Sequence, residues 1–440
     1  MAERTRAAVR SIFEAAVAAV RPENLLPAVV RLDGDLLRIA DATYPLRPGQ
    51  KVHVFGSGKA VSGMARALAA ILGDRLAAGC LVGNTDSPLP PFTVVRGGHP
   101  VPDQGSVAGG SELCSRLAML RDDDLFIYLL SGGSSALIEK PVVPLTLDDI
   151  RQTSRLLLHA NVPIHKVNIV RKHLSAIKGG RLGQCTRAAG AVLVLSDVVG
   201  DDLTTIGSAP LYADASSFRD ALAVIDTAGI ADRIPAVVRA VLEEGAAGLR
   251  PDTPDLPAAT IRHFCIGTNR RALAAAAARA GELGYAARIM TSVLEGDAES
   301  VAAVLYALGW EIGRHGSPFP PPVVLLFGGE TTVAVTGGGR GGRNQQLALA
   351  FLARLGADRA MTLLAAGTDG IDGNSHAAGA TADAEAFRAA AARGLDPARY
   401  LAENDATGFF EKVETLVVTG PTGTNVMDVT VLIVEPEEDA

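Results

Sequence analysis

From about residue 50 onward, short unbroken apolar runs alternate with longer stretches in which apolar residues recur every three or four positions. KVHVF (51–55), DLFIYLL (124–130), AVLVLSD (191–197) and HFCIG (263–267) read as buried strands, and VVLLFGG (323–329), MTLLAAG (361–367) and LVVTG (416–420) continue the series. Helical periodicity predicts helices over 59–71, 103–120, 146–159, 164–177, 215–228, 232–246, 269–284, 297–315 and 343–355. Strand–helix alternation of this kind predicts α/β layers around mostly parallel sheet.

A chain of 440 residues exceeds what one core supports, so two domains are expected, over 1–255 and 256–440. The proline-bearing GLRPDTPDLPAAT (248–260) reads as the linker, PFPPP (318–322) as a stiff connector, and GPTGTN (420–425) as the turn of a hairpin closing the C-terminal sheet. The N-terminal MAERTRAAVRSIFEAAVAAVRP is helical in period and lacks the apolar core of a signal peptide. No run reaches the roughly 18 apolar residues of a membrane span.

The formal net charge of −7 argues against nucleic acid as a partner. Cys80, Cys114, Cys185 and Cys265 are isolated, without CxxC spacing, which predicts neither a zinc site nor a disulfide framework and suits a reducing cytoplasm. Only seven of the 41 basic residues are lysines, so a lysine inside a glycine loop stands out.

Four glycine-rich turns follow strand candidates directly: GSGKA (56–60), SGGSSA (131–136), GGETT (328–332) and GTDGIDG (367–373). In open α/β sheets ligands bind at the carboxyl ends of strands, where such loops converge. A fifth run, TGGGRGGRNQ (336–345), opens a predicted helix with five glycines and two arginines, and reads as a backbone cradle for an anion. The bland alternative is a flexible loop.

GSGKA matches neither GxxxxGK[ST] nor GxGxxG, because Ala60 follows the lysine and Val61 holds the third glycine's place. What survives is a helix N-terminus with Lys59 in its first turn, suited to an anion. SGGSSAL can be read as a nucleophile elbow centred on Ser134, with Asp369 or Asp372 and His376 following in hydrolase order. A capping or anion-contacting role for Ser134 competes with that reading. Asp197, Asp201 and Asp202, and Asp369 with Asp372, follow strands and suit Mg²⁺, which takes one or two carboxylates plus substrate phosphates. Cationic glycine loops with Mg²⁺-type carboxylates describe phosphoryl transfer, whose transition state calls for charge neutralisation and positioning.

VFGSGKA, LLSGGSSALIEKP, NIVRKHLSAIKGGRL, LSDVVGDDLTTIGSAP, LFGGETTVAVTGGGRGGRNQQLALA and AAGTDGIDG together resemble the glycerate 2-kinase family, from about residue 5 to 435. Residues 320–435 resemble its MOFRL domain. The resemblance implies ATP- and Mg²⁺-dependent phosphorylation of D-glycerate to 2-phosphoglycerate. It also implies a Rossmann-like N-terminal domain, a smaller C-terminal α/β domain and a site in the cleft between them. On this basis Lys59, Arg343 and Asp369 are candidate catalytic residues. Gly56, Ser57, Gly58, Ser131, Gly132, Gly133, Ser134, Lys172, Glu330, Arg340 and Asn344 are candidate substrate- and nucleotide-binding residues, and Asp197 and Asp369 candidate metal ligands. Small molecules are the implied partners, with no membrane and with a homodimer left open.

The chain departs from the family pattern at Ser208-Ala209-Pro210-Leu211 (usually SGPT), at Gln346 (usually Glu) and at Asn374-Ser375-His376. These changes bear on substrate preference more than on reaction class. The competing functions are a nicotinamide-dependent hydroxypyruvate reductase, which should show a complete GxGxxG and an acidic residue about 20 positions on, and a non-enzymatic sugar-phosphate or nucleotide sensor. Asp74 is the acidic residue a reductase would have to use.

Overall fold

The computed structural model describes residues 2–254, 260–357 and 359–436. The chain forms two compact units, Leu25–Ile266 and Met1–Asn24 with Gly267–Ala440.

In the first unit, β1 (Val30–Asp33), β2 (Leu36–Ile39) and β3 (Ala42–Pro45) make a small antiparallel sheet. The main sheet comprises β4 (Val52–Ser57), β5 (Gly79–Gly83), β6 (Phe92–Arg96), β7 (Leu125–Ser131), β8 (Ala189–Leu195) and β9 (Ile261–Gly267) in the order β6-β5-β4-β7-β8-β9. β4 to β8 pair in parallel. Every residue of β7 is buried, as a strand covered on both faces requires. The chain runs outward from β4 through β5 to β6, then returns to β7 on β4's other side. The carboxyl ends of β4 and β7 therefore flank the point where strand order reverses, where doubly wound sheets bind ligands.

The second unit holds β10 (Ala286–Leu294), β11 (Val323–Gly329), β12 (Met361–Gly367), β13 (Gly379–Asp383), β14 (Leu416–Val417) and β15 (Asp428–Val434), in the order β10-β11-β15-β12-β13-β14. Only β10 and β11 pair in parallel; the other neighbours are antiparallel. The expectation of mostly parallel sheet thus holds for the first unit and not for the second. The expected hairpin around 420–425 is also corrected: β14 pairs with β13, while β15 inserts between β11 and β12. A strand buried at every position, such as DVTVLIV (428–434), suits a central place better than an edge.

The two compact units do not divide at 255/256. β9 extends the first unit's sheet to Ile266, beyond the proline-bearing segment, of which 255–259 lie outside the described residues. The N-terminal helix Ala2–Val20 belongs with the second unit. Its apolar face (Val9, Ile12, Phe13, Ala16) is buried there, and Arg6 holds Asp383. Thr424 Oγ1 donates to the Val20 carbonyl at 2.7 Å.

The cysteine expectation fails in one respect. Cys114, in helix Gln104–Ala118, is disulfide-bonded to Cys185, with Cα atoms 5.7 Å apart. A sequence separation of 71 residues hid the pair, which only packing against the same core brings together. No described helix is long and apolar enough to cross a membrane.

Candidate active site

β4 ends at Ser57 and helix Val61–Leu72 starts four residues later, so Gly58, Lys59 and Ala60 must turn sharply beside the loop after β7. The two loops interlock. The Gly58 amide donates to the Val82 carbonyl at 3.0 Å, the Lys59 amide to Gly132 O at 2.9 Å and the Ala60 amide to Ser131 Oγ at 3.1 Å. Gly58 has φ +133°, and a Cβ there would overlap Ser131. Gly133 has φ +82°, and a Cβ would sit 3.0 Å from His99 and 3.1 Å from the Lys59 side chain. Glycine at 133 therefore lets the lysine stem and His99 lie over the turn.

Lys59 is exposed, and no described residue forms an ion pair with its ammonium group. His99, missed in the sequence because it stands alone, is its neighbour: burial, and then the Lys59 charge, push the imidazole pKa below its ordinary value. Asp197, after β8, lies against Gly132, where a Cβ would overlap its carboxylate. The amides of 58–60 are already committed to protein acceptors, so the cation at this loop is Lys59 itself and not a nest of free N–H groups.

Several expected contacts are reassigned. Ser134 is fully buried and bonds Ser57 Oγ at 2.5 Å, and Ser57 in turn bonds the Tyr128 hydroxyl at 2.7 Å. This chain of hydroxyls fixes the β4 and β7 ends from beneath, so Ser57 and Ser134 position the loops and do not face a ligand. The hydrolase reading falls with it, since the Ser134 hydroxyl is fully buried and its described partner is a serine, not a base. Gly56 packs tightly, with a Cβ there placed 2.6 Å from Val61 Cγ2. Lys172 is buried in an ion pair with Asp214 at 3.0 Å and is likewise structural.

In the second unit the long glycine run has a different cause from the one its composition suggests. The Thr336 and Gly337 amides both donate to Asn404 Oδ1 at 2.8 Å. The Gly339 amide donates to Glu403 O, the Arg340 amide to Asp405 Oδ1 and the Gly341 amide to Asn374 Oδ1. A Cβ at Gly337, Gly339 or Gly342 would overlap Glu403, Asp405 or Asp372. Gly337, Gly339 and Gly342 are glycine because they are laid directly on 403–405 and 372, and the amides of 336, 337, 339, 340 and 341 are taken by protein acceptors, so the expectation of a free-amide anion cradle is corrected for these five. Arg340 pairs with Glu411 at 2.7 Å on the surface. Asn344 and Gln345 donate backbone and side-chain N–H groups to the buried Asp372, which caps the helix Arg343–Leu355. Asn344 is thus a capping partner.

Arg343, the first residue of that helix, is aimed by two carboxylates. Its Nε and Nη2 donate to Asp428 at 2.6 and 3.0 Å, and Nη1 to Glu330 at 2.6 Å. Burial works against the guanidinium charge, but the Asp428 bonds and charge outweigh it and raise its pKa above the ordinary arginine value. Three of its five N–H donors are used, leaving two. Asp428 opens β15 and went unnoticed in the sequence, 85 residues from its partner. Asp369 Oδ1 accepts the Ile371 amide at 3.1 Å. The Asp369 and Asp428 carboxylates flank Gly367, 3.1 and 3.5 Å from a Cβ placed there. Gln346, where the family pattern has Glu, donates to Glu299 at 3.0 Å, a contact glutamate would turn into repulsion.

Among the described residues no three His, Cys, Asp or Glu side chains gather as a closed metal cage. The carboxylates stand singly or in pairs beside glycines, the donor set that Mg²⁺ completes with water and substrate phosphates.

A lysine at the switch point of a doubly wound sheet and an arginine aimed by carboxylates are the groups of a phosphotransferase, in which fixed charge does most of the chemistry. Residues 8–243 match the Domain of unknown function (DUF4147) and residues 323–428 the MOFRL family. The chain is 37% identical over 422 residues to the glycerate 2-kinase of Pyrococcus horikoshii, covering 95% of each. It is 35% identical to the D-glycerate 2-kinase of Thermotoga maritima, covering 89% of this chain and 92% of the relative. The crystal structure of the Thermotoga maritima glycerate kinase superimposes with a TM-score of 0.87 at 32% identity, over 98% of this chain and 100% of that one. The chain belongs to the glycerate 2-kinase family.

Proposed function

We propose that the chain phosphorylates D-glycerate to 2-phosphoglycerate with ATP. The observation that carries this reading is Lys59, an exposed cation without an ion-pair partner among the described residues, held over Gly133 at the β4–β7 switch point. In phosphoryl transfer such a cation offsets charge on the transferring oxygens; within the second unit Arg343, with its fork fixed by Asp428 and Glu330, is a second group of the kind that stabilises such charge. Gly132 lies against the Asp197 carboxylate, and Gly367 against those of Asp369 and Asp428, so the loops after β7 and β12 each have a carboxylate beside them. Asp197 in the first unit and Asp369 in the second are each candidates to hold Mg²⁺, which when bound neutralises phosphate charge. ATP consumption accords with a cytoplasmic location.

The reductase alternative loses its structural basis. Val61 fills the third glycine's place with buried apolar packing against Gly56, and Asp74 stands ahead of β5, at the wrong end of that strand to meet a ribose. The test is incubation with D-glycerate, ATP and Mg²⁺, coupled to enolase without phosphoglycerate mutase, in which only 2-phosphoglycerate is consumed. NADH oxidation with hydroxypyruvate, and no signal in the coupled assay, would reverse the assignment.

A further inference from the structure

The helix Ile164–Leu174 and the turn after it carry an unusual density of buried charge. Asn168, Arg171, Lys172 and Ser175 are spaced to share one helical face. Lys172 is neutralised by Asp214, and Lys178 by Glu139. Arg181 donates to the Lys172 and Ser175 carbonyls at 2.5 and 3.1 Å and feels Asp252 and Asp214. Arg171 has no such partner: Nε reaches Ser154 Oγ at 3.4 Å, and neither Nη atom bonds another described residue. The carboxylate it feels, Glu139, already receives Lys178 and the Lys140 amide. Among the described residues Lys172 and Lys178 each bond a carboxylate and Arg181 bonds two carbonyls, whereas Arg171 bonds only the Ser154 hydroxyl.

A half-buried guanidinium without an anion is costly, and burial indeed lowers its pKa. An arginine fork matches a carboxylate in two-pronged geometry. Its neighbour on the same face adds a second donor: Asn168 accepts from Ser208 Oγ at 3.3 Å, and the other end of its amide is uncommitted. Ser208 also bonds Ser135 at 2.8 Å, two residues from the Gly133 turn over which Lys59 lies. Gly207, Ser208 and Ala209 all have left-handed backbone, at φ +61°, +59° and +54°. Such strain persists where surrounding structure enforces it, commonly at ligand sites.

We propose that Arg171, assisted by Asn168, receives the carboxylate of the acceptor substrate and so selects a hydroxy acid over a neutral polyol. This inference rests on the kinase reading. The experiment compares D-glycerate with glycerol, which offers hydroxyls and no carboxylate, in the unaltered enzyme and in Arg171→Gln. Expected is a KM for D-glycerate raised about 10- to 100-fold, the scale of hydrogen bonds to a charged group, with the KM for ATP unchanged. The preference for glycerate over glycerol should shrink by the same factor. A folded Arg171→Gln that keeps its KM for D-glycerate and its preference would overturn the inference. Should Arg171→Gln not fold, Arg171→Lys is judged by the same two quantities, since it keeps charge and bulk but not the fork. An unaltered enzyme inert toward D-glycerate would instead bring down the kinase reading itself, and this inference with it.

Discussion

Arg343 grips Asp428 with two parallel hydrogen bonds, Nε to Oδ2 at 2.6 Å and Nη2 to Oδ1 at 3.0 Å, and so enters helix Arg343–Leu355 with its guanidinium plane already fixed. Lysine can keep the charge but cannot make this fork. Arg343→Lys is therefore expected to lower kcat by on the order of 10²-fold, the scale of one lost transition-state donor. Steady-state kinetics decide the matter: full turnover with only a raised KM would assign Arg343 to substrate binding.

Lys59 has no ion-pair partner to lose, so its removal should cost activity and not stability. Lys59→Met is expected to cut kcat by about 10²-fold or more, with an unchanged melting temperature. The same variant should let the His99 pKa rise toward its ordinary value, because the Lys59 charge disfavours the imidazolium. Imidazole titration by NMR reads this directly; an unmoved His99 pKa would show that the two groups do not sense each other.

Asp372 is buried with Asp428 nearby, and desolvation pushes its carboxyl up to about 6 despite the amides it accepts. A group whose pKa is higher folded than unfolded stabilises below the unfolded value, about 3.9, and loses that contribution as pH rises through 6. Unfolding free energy should carry a decline on the order of 1–3 kcal/mol between pH 4 and 6 from this one group. Asp372→Asn should lack that component while losing stability overall, because its amide would face the Asn344 and Gln345 N–H groups. Urea melts at several pH values test it, and identical slopes in the two proteins would refute it.

Ala209 is fixed at φ +54°, ψ +58°, where the family pattern carries glycine. The Cβ strain there exceeds the extra chain entropy a glycine would bring, so Ala209→Gly should stabilise by about 0.5–1 kcal/mol. A lowered melting temperature would mean that the buried methyl packs better than its backbone fits.

Ser134→Ala breaks the Ser57–Ser134 bond inside a buried hydroxyl chain and should cost about 1–2 kcal/mol of stability. Fluorophosphonate labelling is expected to leave Ser134 unmodified. A covalent adduct at that residue would revive a hydrolytic mechanism.

The sequence by itself determined what is written in neighbouring residues. Apolar runs located β4, β7, β8, β11 and β12 to within a few positions, and the helix at 343–355 falls where its period places it. Glycines after strands marked the loop that presents Lys59, because a chain turning off a strand beside another loop has no room for Cβ. Tertiary structure alone decided everything that depends on distant partners. Arg343 and Asp428, 85 residues apart, and Cys114 and Cys185, 71 apart, share no local signal. Two expected anion contacts, Lys172 and Arg340, prove to be neutralised by Asp214 and Glu411. The glycines of 336–342 looked like a cradle because composition records that backbone must come close to something, without saying to what. Folding supplies 403–405 and 372 as that neighbour for Gly337, Gly339 and Gly342, and leaves Lys59 and Arg171 as cations that no carboxylate among the described residues claims in an ion pair.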